Sequence, residues 1–346
     1  MTNKKSGGNK RKTRTKLLII IAMLIAGVVV AAMPFVATKA DKAGTIYLSR
    51  GTSEAALTDS LTQHFGGAFA RRVITLTKLT GTTMEKRHGA WKVKKGESAL
   101  SLARRLHSGA SSSIKFTFNN LRTKREFCER AGQLYKGGFS TFWTALNDPT
   151  LCKKYGKTPD DIIAIIIPDS YEFYWDVTPE EMLDKMYKYY NDFWDASRTH
   201  KAEKLGLTPD QVEIIASITE EETVKEDERG KVGQLYINRF KAGMRLQADP
   251  TVKYALGDFS IKRLTNAMLQ VQSPYNTYRV NGLPPGPIRL PEKSTIDAIL
   301  NNDGHDYMYM CARPDFSGYH DFAKTYEEHL HNAHAYQQAL DKNGIK

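Results

Sequence analysis

Cysteine is scarce. Cys128, Cys152 and Cys311 are all that 346 residues contain. An odd number at wide spacing is no disulfide framework; one bridge or three buried thiols both fit. None lies near the N-terminal apolar run, which excludes a lipid-modified cysteine anchor there. The chain also lacks a P-loop, a dinucleotide fingerprint and a G-x-S-x-G elbow, so the common nucleotide and serine-hydrolase chemistries have no foothold. Acidic residues are missing from residues 1–16, where Lys4, Lys5, Lys10, Arg11, Lys12, Arg14 and Lys16 supply seven of the net +12 charges. Only +5 remains elsewhere, so the basic balance does not imply a nucleic-acid partner. The small surplus suits an anionic polymer without demanding one.

Charge is missing altogether from residues 17–38, "LLIIIAMLIAGVVVAAMPFVAT". A bilayer-spanning helix needs about 20 apolar residues. The basic flank comes first, which places the N-terminus in the cytoplasm. A cleavable signal has a shorter apolar core and a small-residue cleavage site, for which Thr38 and Ala40 are the best candidates. The expectation is an uncleaved signal-anchor: a cytoplasmic tail over 1–16, a single membrane helix over 17–38, and the rest on the extracytoplasmic, periplasmic side of the cytoplasmic (inner) membrane.

After the membrane segment, "TIYLS" (45–49) and "VITLT" (73–77) read as short β-branched strands. Between them "SEAALTDSLTQHF" reads as a helix capped by Ser53. In "WKVKKGESALSLARRL" (91–106) a strand leads through a turn at Gly96 into a helix carrying Leu100, Leu102, Ala103 and Leu106. This strand–turn–helix resembles the repeat of LysM modules, which bind N-acetylglucosamine-containing glycans. An ordinary β–α unit closing its own core is the competing reading. A module over 39–118 is expected. A mostly helical connecting part follows over 119–205, with Thr178, Pro179 and Glu181 as a capping box. The aromatic stripe after it, Met182, Met186, Tyr189, Tyr190 and Phe193, reads as core.

The last part, 206–346, opens on a second box, Thr208 with Pro209 and Gln211. The helix it starts carries an apolar arc from Val212 to Ile218 and ends in Glu220, Glu221 and Glu222. At 100° per residue the three diverge. Glu222 points into the apolar arc and needs a partner, Arg229 or Arg239. Glu221 sits on its outer border and reads as solvated. Glu220 lies at the opposite edge, where an apolar wall raises a carboxyl pKa and suits it to general-acid work. Downstream loops are dense in Gly, Pro, Asn and Tyr, which suits carbohydrate: rings pack on sugar faces and amides bind hydroxyls. His329, His331 and His334 beside Glu327 and Glu328 lack the spacing of zinc hydrolases, so neither metal nor other cofactor is expected.

"ASITEEET", "INRF", "MRLQADPTVKYALG", "SPYNTY", "GLPPGPI" and "YHDFAKTYEEH", with "PDSYEFYW" upstream, occur in register. In these motifs the chain resembles the YceG-like family, whose members are endolytic murein transglycosylases. The likeness is dense over 207–333 and thins to architecture over 1–150. It implies a mixed α+β catalytic domain behind the membrane helix and the LysM-like module, an α+β chain overall. It implies Glu220 as the catalytic acid and Glu222 as its supporting carboxylate. Gln247, Asp249, Tyr275, Asn276, Thr277, Tyr278, His320, Thr325 and His329 match family positions expected to line or buttress the cleft. Glu221 falls on a variable position, so Glu221→Gln is expected to do little. The chain departs from the family after "GLPPGPI", with "RLPEKS" in place of an Asn-Pro-Gly-like turn. It departs again at Leu330, where Asn is common. The implied reaction is cleavage of the MurNAc-β-1,4-GlcNAc bond in nascent strands to 1,6-anhydro ends, with peptidoglycan glycan strands, the membrane and cell-wall synthases as partners. A muramidase that uses water and a non-catalytic glycan-binding membrane protein stay open.

Overall fold

The computed structural model describes residues 7–344, so the first residues of the basic tail lie outside it. The chain divides into two compact units.

The first unit comprises the described residues up to Ile114 with Phe173–Asp176. It begins with α1 (Gly7–Ala37), of which Arg14–Ala37 is long and apolar enough to cross a membrane and is not buried within the chain. Those 24 residues span about 36 Å, against roughly 30 Å of hydrocarbon. No linker follows. Ala99 N–H donates to Thr38 O (2.9 Å), Ala40 N–H to Glu97 O (2.9 Å) and Gly96 N–H to Ala40 O (2.8 Å). Arg72 lies over the Phe35 ring at 5.2 Å. The remaining elements are β1 (Gly44–Leu48), α2 (Glu54–Phe65), α3 (Gly67–Leu79), β2 (Gly89–Val93) and α4 (Ala99–Ser108). The strands β1 and β2 pair antiparallel, Ile46 opposite Trp91. Ser53 caps α2 as expected. The run at 73–77, expected as a strand, is instead the second half of α3. Its β-branched residues fit a helix because Phe69, Ala70, Val73, Ile74 and Thr77 fall on one buried face. The strand and helix expected over 91–106 form as β2 and α4, joined by Gly96 at φ +80°. Leu57, Leu61, Phe69, Trp91, Leu102 and Leu106 close the core.

The second unit comprises Lys115–Glu172 and the described residues from Val177 onward. The strand β3 (Ser113–Thr117) pairs with β4 (Ser170–Tyr174), and between them lie α5 (Lys124–Leu134), α6 (Gly138–Leu146) and α7 (Pro149–Lys154). Then come α8 (Pro179–Phe193), α9 (Ala196–Lys204), α10 (Pro209–Glu222), α11 (Glu226–Lys241), α12 (Asp249–Leu256) and α13 (Lys293–Leu300). The antiparallel pair β5 (Tyr309–Ala312) and β6 (His320–Ala323) leads to α14 (Tyr326–Lys342). Both expected capping boxes, at Thr178 and Thr208, are formed. Between its caps α10 is buried from Val212 to Glu220, with α11, α12 and α13 packed against it. Helices α11 and α13 touch at glycine: a Cβ on Gly233 would lie 2.4 Å from Ile299 Cγ1. All three cysteines are free thiols, with Cys128 and Cys152 buried.

Candidate active site

The three glutamates closing α10 have three different surroundings. Glu220 is buried. Its Oε2 accepts from Glu292 N–H (2.8 Å) and from the Thr295 hydroxyl (3.0 Å). The carboxyl thus sits at the N-terminal end of α13, where free N–H groups and the helix dipole favour an anion. Arg289 Nη2 lies 3.0 Å from its Oε1. Burial pushes the Glu220 pKa up; Arg289 and the two hydrogen bonds pull against it, and the balance stays on the raised side.

Glu221 was expected to be solvated. It is held instead by two arginines: Arg122 donates from Nε and Nη2 (2.9 and 3.1 Å) and Arg289 from Nη1 (2.8 Å). Arg289 therefore bridges Glu220 and Glu221. Glu222 is half-buried and does not pair with either arginine expected of it. Tyr236 donates to its Oε1 (2.7 Å). Arg229 instead reaches Glu292 (3.2 Å) and Thr295 (2.9 Å), and Arg239 reaches Gln247 (2.5 Å). Desolvation, with Asp249 nearby, pushes the Glu222 carboxyl up to about 7.

Several of the other expected residues meet around this cluster. Tyr278 donates to Asp249 Oδ1 (2.6 Å). Gln247 has φ +51°, an uncommon backbone for a residue with a side chain, and its N–H donates to Thr277 O (3.1 Å). Asn276 and Thr277 are fully buried. Thr277 Oγ1 accepts from Ala248 N–H (3.0 Å), and Asn276 donates to Leu269 O and Val271 O. Their side chains hold backbone. Tyr275 packs at a tilt against Tyr254, with centroids 4.7 Å apart. His320 engages both oxygens of Glu228 through its N–H and Nδ1 (2.8 Å each), and Thr223 donates to Glu228 Oε2 (3.0 Å). Thr325 is the N-cap of α14, its hydroxyl committed to Glu328 N–H. His329 stacks on Tyr309 (5.4 Å), and burial with Arg239 nearby lowers its pKa.

Arg122, Arg289, Glu292, Thr295 and Tyr236 were not foreseen. No local pattern marks them, because each meets the glutamates across many residues of chain. One further carboxyl, Glu213, is buried two turns before Glu220 on α10. It accepts from Trp194 Nε1 (2.8 Å), and burial pushes it up to about 8. Chemically, burial favours the protonated forms of Glu213, Glu220 and Glu222, and at Glu220 two donors and Arg289 stand ready to receive the charge when the proton is released.

A family model described as the YceG-like family matches residues 42–335. The chain is 36% identical over 156 residues to the endolytic murein transglycosylase of Bacillus subtilis (strain 168), covering 44% of this chain and 42% of that protein. It is 28% identical over 137 residues to the endolytic murein transglycosylase of Streptococcus pneumoniae serotype 2 (strain D39), covering 38% of this chain and 24% of that one. The matched segments span less than half the length of these curated relatives. The fold is similar to a crystal structure of a yceG-like protein from Listeria monocytogenes, with TM-score 0.52 and 24% identity over 84% of this chain and 98% of that one.

Proposed function

From the membership of this chain in the YceG-like family, we propose that it is a membrane-anchored endolytic peptidoglycan lytic transglycosylase. It cleaves the MurNAc-β-1,4-GlcNAc bond within nascent strands and leaves 1,6-anhydro-MurNAc ends. The observation that carries the reading is the Glu220 carboxyl: buried, raised in pKa, and backed by two hydrogen-bond donors.

Protonated Glu220 donates to the departing glycosidic oxygen. As carboxylate, steadied by Glu292 N–H and the Thr295 hydroxyl, it then takes the proton from the muramoyl C6 hydroxyl, which attacks C1. The nucleophile belongs to the substrate, so no second catalytic carboxylate is required. Arg289 opposes protonation of Glu220, and its sharing with Glu221 dilutes that opposition. Glu222 with Tyr236, and Asp249 with Tyr278, are proposed to shape the cleft on the other side of the α10 terminus. Gln247 and Asn276 with Thr277 set the backbone there, while Tyr275, His320, Thr325 and His329 buttress it. Helix α1 is proposed as the single anchor, N-terminus in the cytoplasm, with the LysM-like module over 39–118 and the connecting part over 119–205 preceding the catalytic core. Release of growing strands beside cell-wall synthases follows from that placement.

The test is a digest of purified peptidoglycan by the full chain in detergent, wild type against Glu220→Gln. Wild type should release anhydro-muropeptides, lighter by one water than hydrolysis products, and the variant should not. Anhydro products in equal yield from both would sink the assignment.

A further inference from the structure

Beside the bridged glutamates lies a small pocket of about 110 Å³, lined by Arg122, Glu221, Pro250, Lys253, Phe259 and Ile288. Its charges do not balance. Arg122 is committed to Glu221 and packs on the Phe259 ring at 5.0 Å. Glu221 is also taken by Arg289. Lys253, half-buried on α12, has no carboxylate within ion-pair distance among the described residues. The pocket therefore holds two cations and one carboxylate, and that carboxylate is already taken by Arg122 and Arg289, which leaves Lys253 without a counter-charge at ion-pair distance. Pro250, Phe259 and Ile288 form apolar walls, which strengthen any charge interaction inside. The pocket adjoins the reacting centre: Glu221 shares Arg289 with Glu220, and the Lys253 charge is felt at Glu222.

We propose that this pocket is a subsite for a carboxylate carried by the glycan substrate, seated on Lys253 beside Arg122. The proposal rests on reading the chain as a glycan-cleaving enzyme. A carboxylate there supplies the missing counter-charge, and the volume suits a group of a few heavy atoms. Two sources carry that chemistry in a muramoyl strand: the lactyl group, where the peptide has been removed, and the stem peptide itself. Arg122 and Glu221 then serve as the fixed wall, and Lys253 as the selecting contact.

The experiment uses the full chain in detergent with three substrates: strands bearing stem peptides, the same strands with those carboxylates amidated, and strands stripped of peptide. Wild type should show a KM about tenfold higher on amidated strands, as loss of one charge-assisted contact implies. Lys253→Gln should raise KM on the unmodified strands to that level with kcat unchanged, and Lys253→Arg should restore it. The lactyl carboxylate is free only in stripped strands, so a KM lower on stripped strands than on the other two assigns it; stripped strands that behave like amidated ones assign the stem peptide. Equal wild-type KM on all three strands overturns the proposal. So does a Lys253→Gln rise of the same size on all three. Binding of the same strands to the Glu220→Gln chain needs no turnover and separates this proposal from the reaction itself. Carboxylate-dependent binding that Lys253→Gln abolishes supports the subsite even where no anhydro product forms, and binding equal on all three strands removes it.

Discussion

Arg289 serves two carboxylates at once, 3.0 Å from Glu220 and 2.8 Å from Glu221. Removing the Glu221 charge leaves that guanidinium, and Arg122 behind it, facing Glu220 with less to offset them. The ionised form of Glu220 is then favoured and its pKa falls. In Glu221→Gln the alkaline limb of the kcat/KM profile should therefore move to lower pH. Thr295→Val removes a donor to the carboxylate and should move it to higher pH. Limbs that stay put in both variants would show that Glu220 is not the titrating acid. This replaces the sequence expectation that Glu221→Gln does little. The helical wheel sets Glu220 at an apolar border and points Glu222 into the apolar arc; in the fold Glu220 is the buried one and Glu222 is half-buried, because α13 and Arg289 close over the Glu220 edge. The wheel misreads Glu221 because Arg122 and Arg289 arrive from distant parts of the chain. Arg289 and Glu292 fall in "RLPEKS", the stretch where the motifs depart from the family, so neither pattern nor resemblance reaches them.

Two elements hold the Glu220 carboxyl, the proposed acid, in place. Helix α13 presents Thr295 and the Glu292 N–H to Glu220, and it lies against α11 at Gly233. Gly233→Ala inserts a methyl where Ile299 already stands. It should cost about 1–3 kcal/mol in unfolding free energy and lower kcat by displacing α13; unchanged urea midpoint and kcat would contradict that. Helix α10 also buries a titratable carboxyl. The Glu213 carboxyl ionises near 4.5 when unfolded but only near about 8 when folded. Between those values the folded chain binds more protons, so stability is present below the unfolded pKa and is lost as pH rises through the folded one. Glu213→Gln keeps an acceptor for Trp194 and removes the titration. The melting temperature should rise at about pH 8–9 and barely move at about pH 5, roughly 1.4 kcal/mol per pH unit across the window being the upper bound. An equal rise at both would refute the mechanism. Element starts were the most legible feature here. Ser53, Thr178 and Thr208 each cap within four residues, a range that local sequence encodes fully. The run "VITLT" was not legible as helix, because its β-branched residues favour a strand until the wider spacing from Phe69 to Thr77 is included.

At the scale of the whole chain, α1 should decide where the protein resides. The full chain should stay with the membrane fraction after a high-salt wash, and a chain beginning at Thr38 should be released. Retention of both would place the attachment elsewhere. The start at Thr38 matters, because Thr38 and Ala40 are hydrogen-bonded to the turn before α4 and belong to the first unit. That same join constrains reach. A domain on a flexible tether sweeps a hemisphere above the bilayer. With α1 in a bilayer, a join made of three backbone hydrogen bonds in place of a linker would hold the first unit close to the membrane surface, with a far shorter reach than a tethered domain.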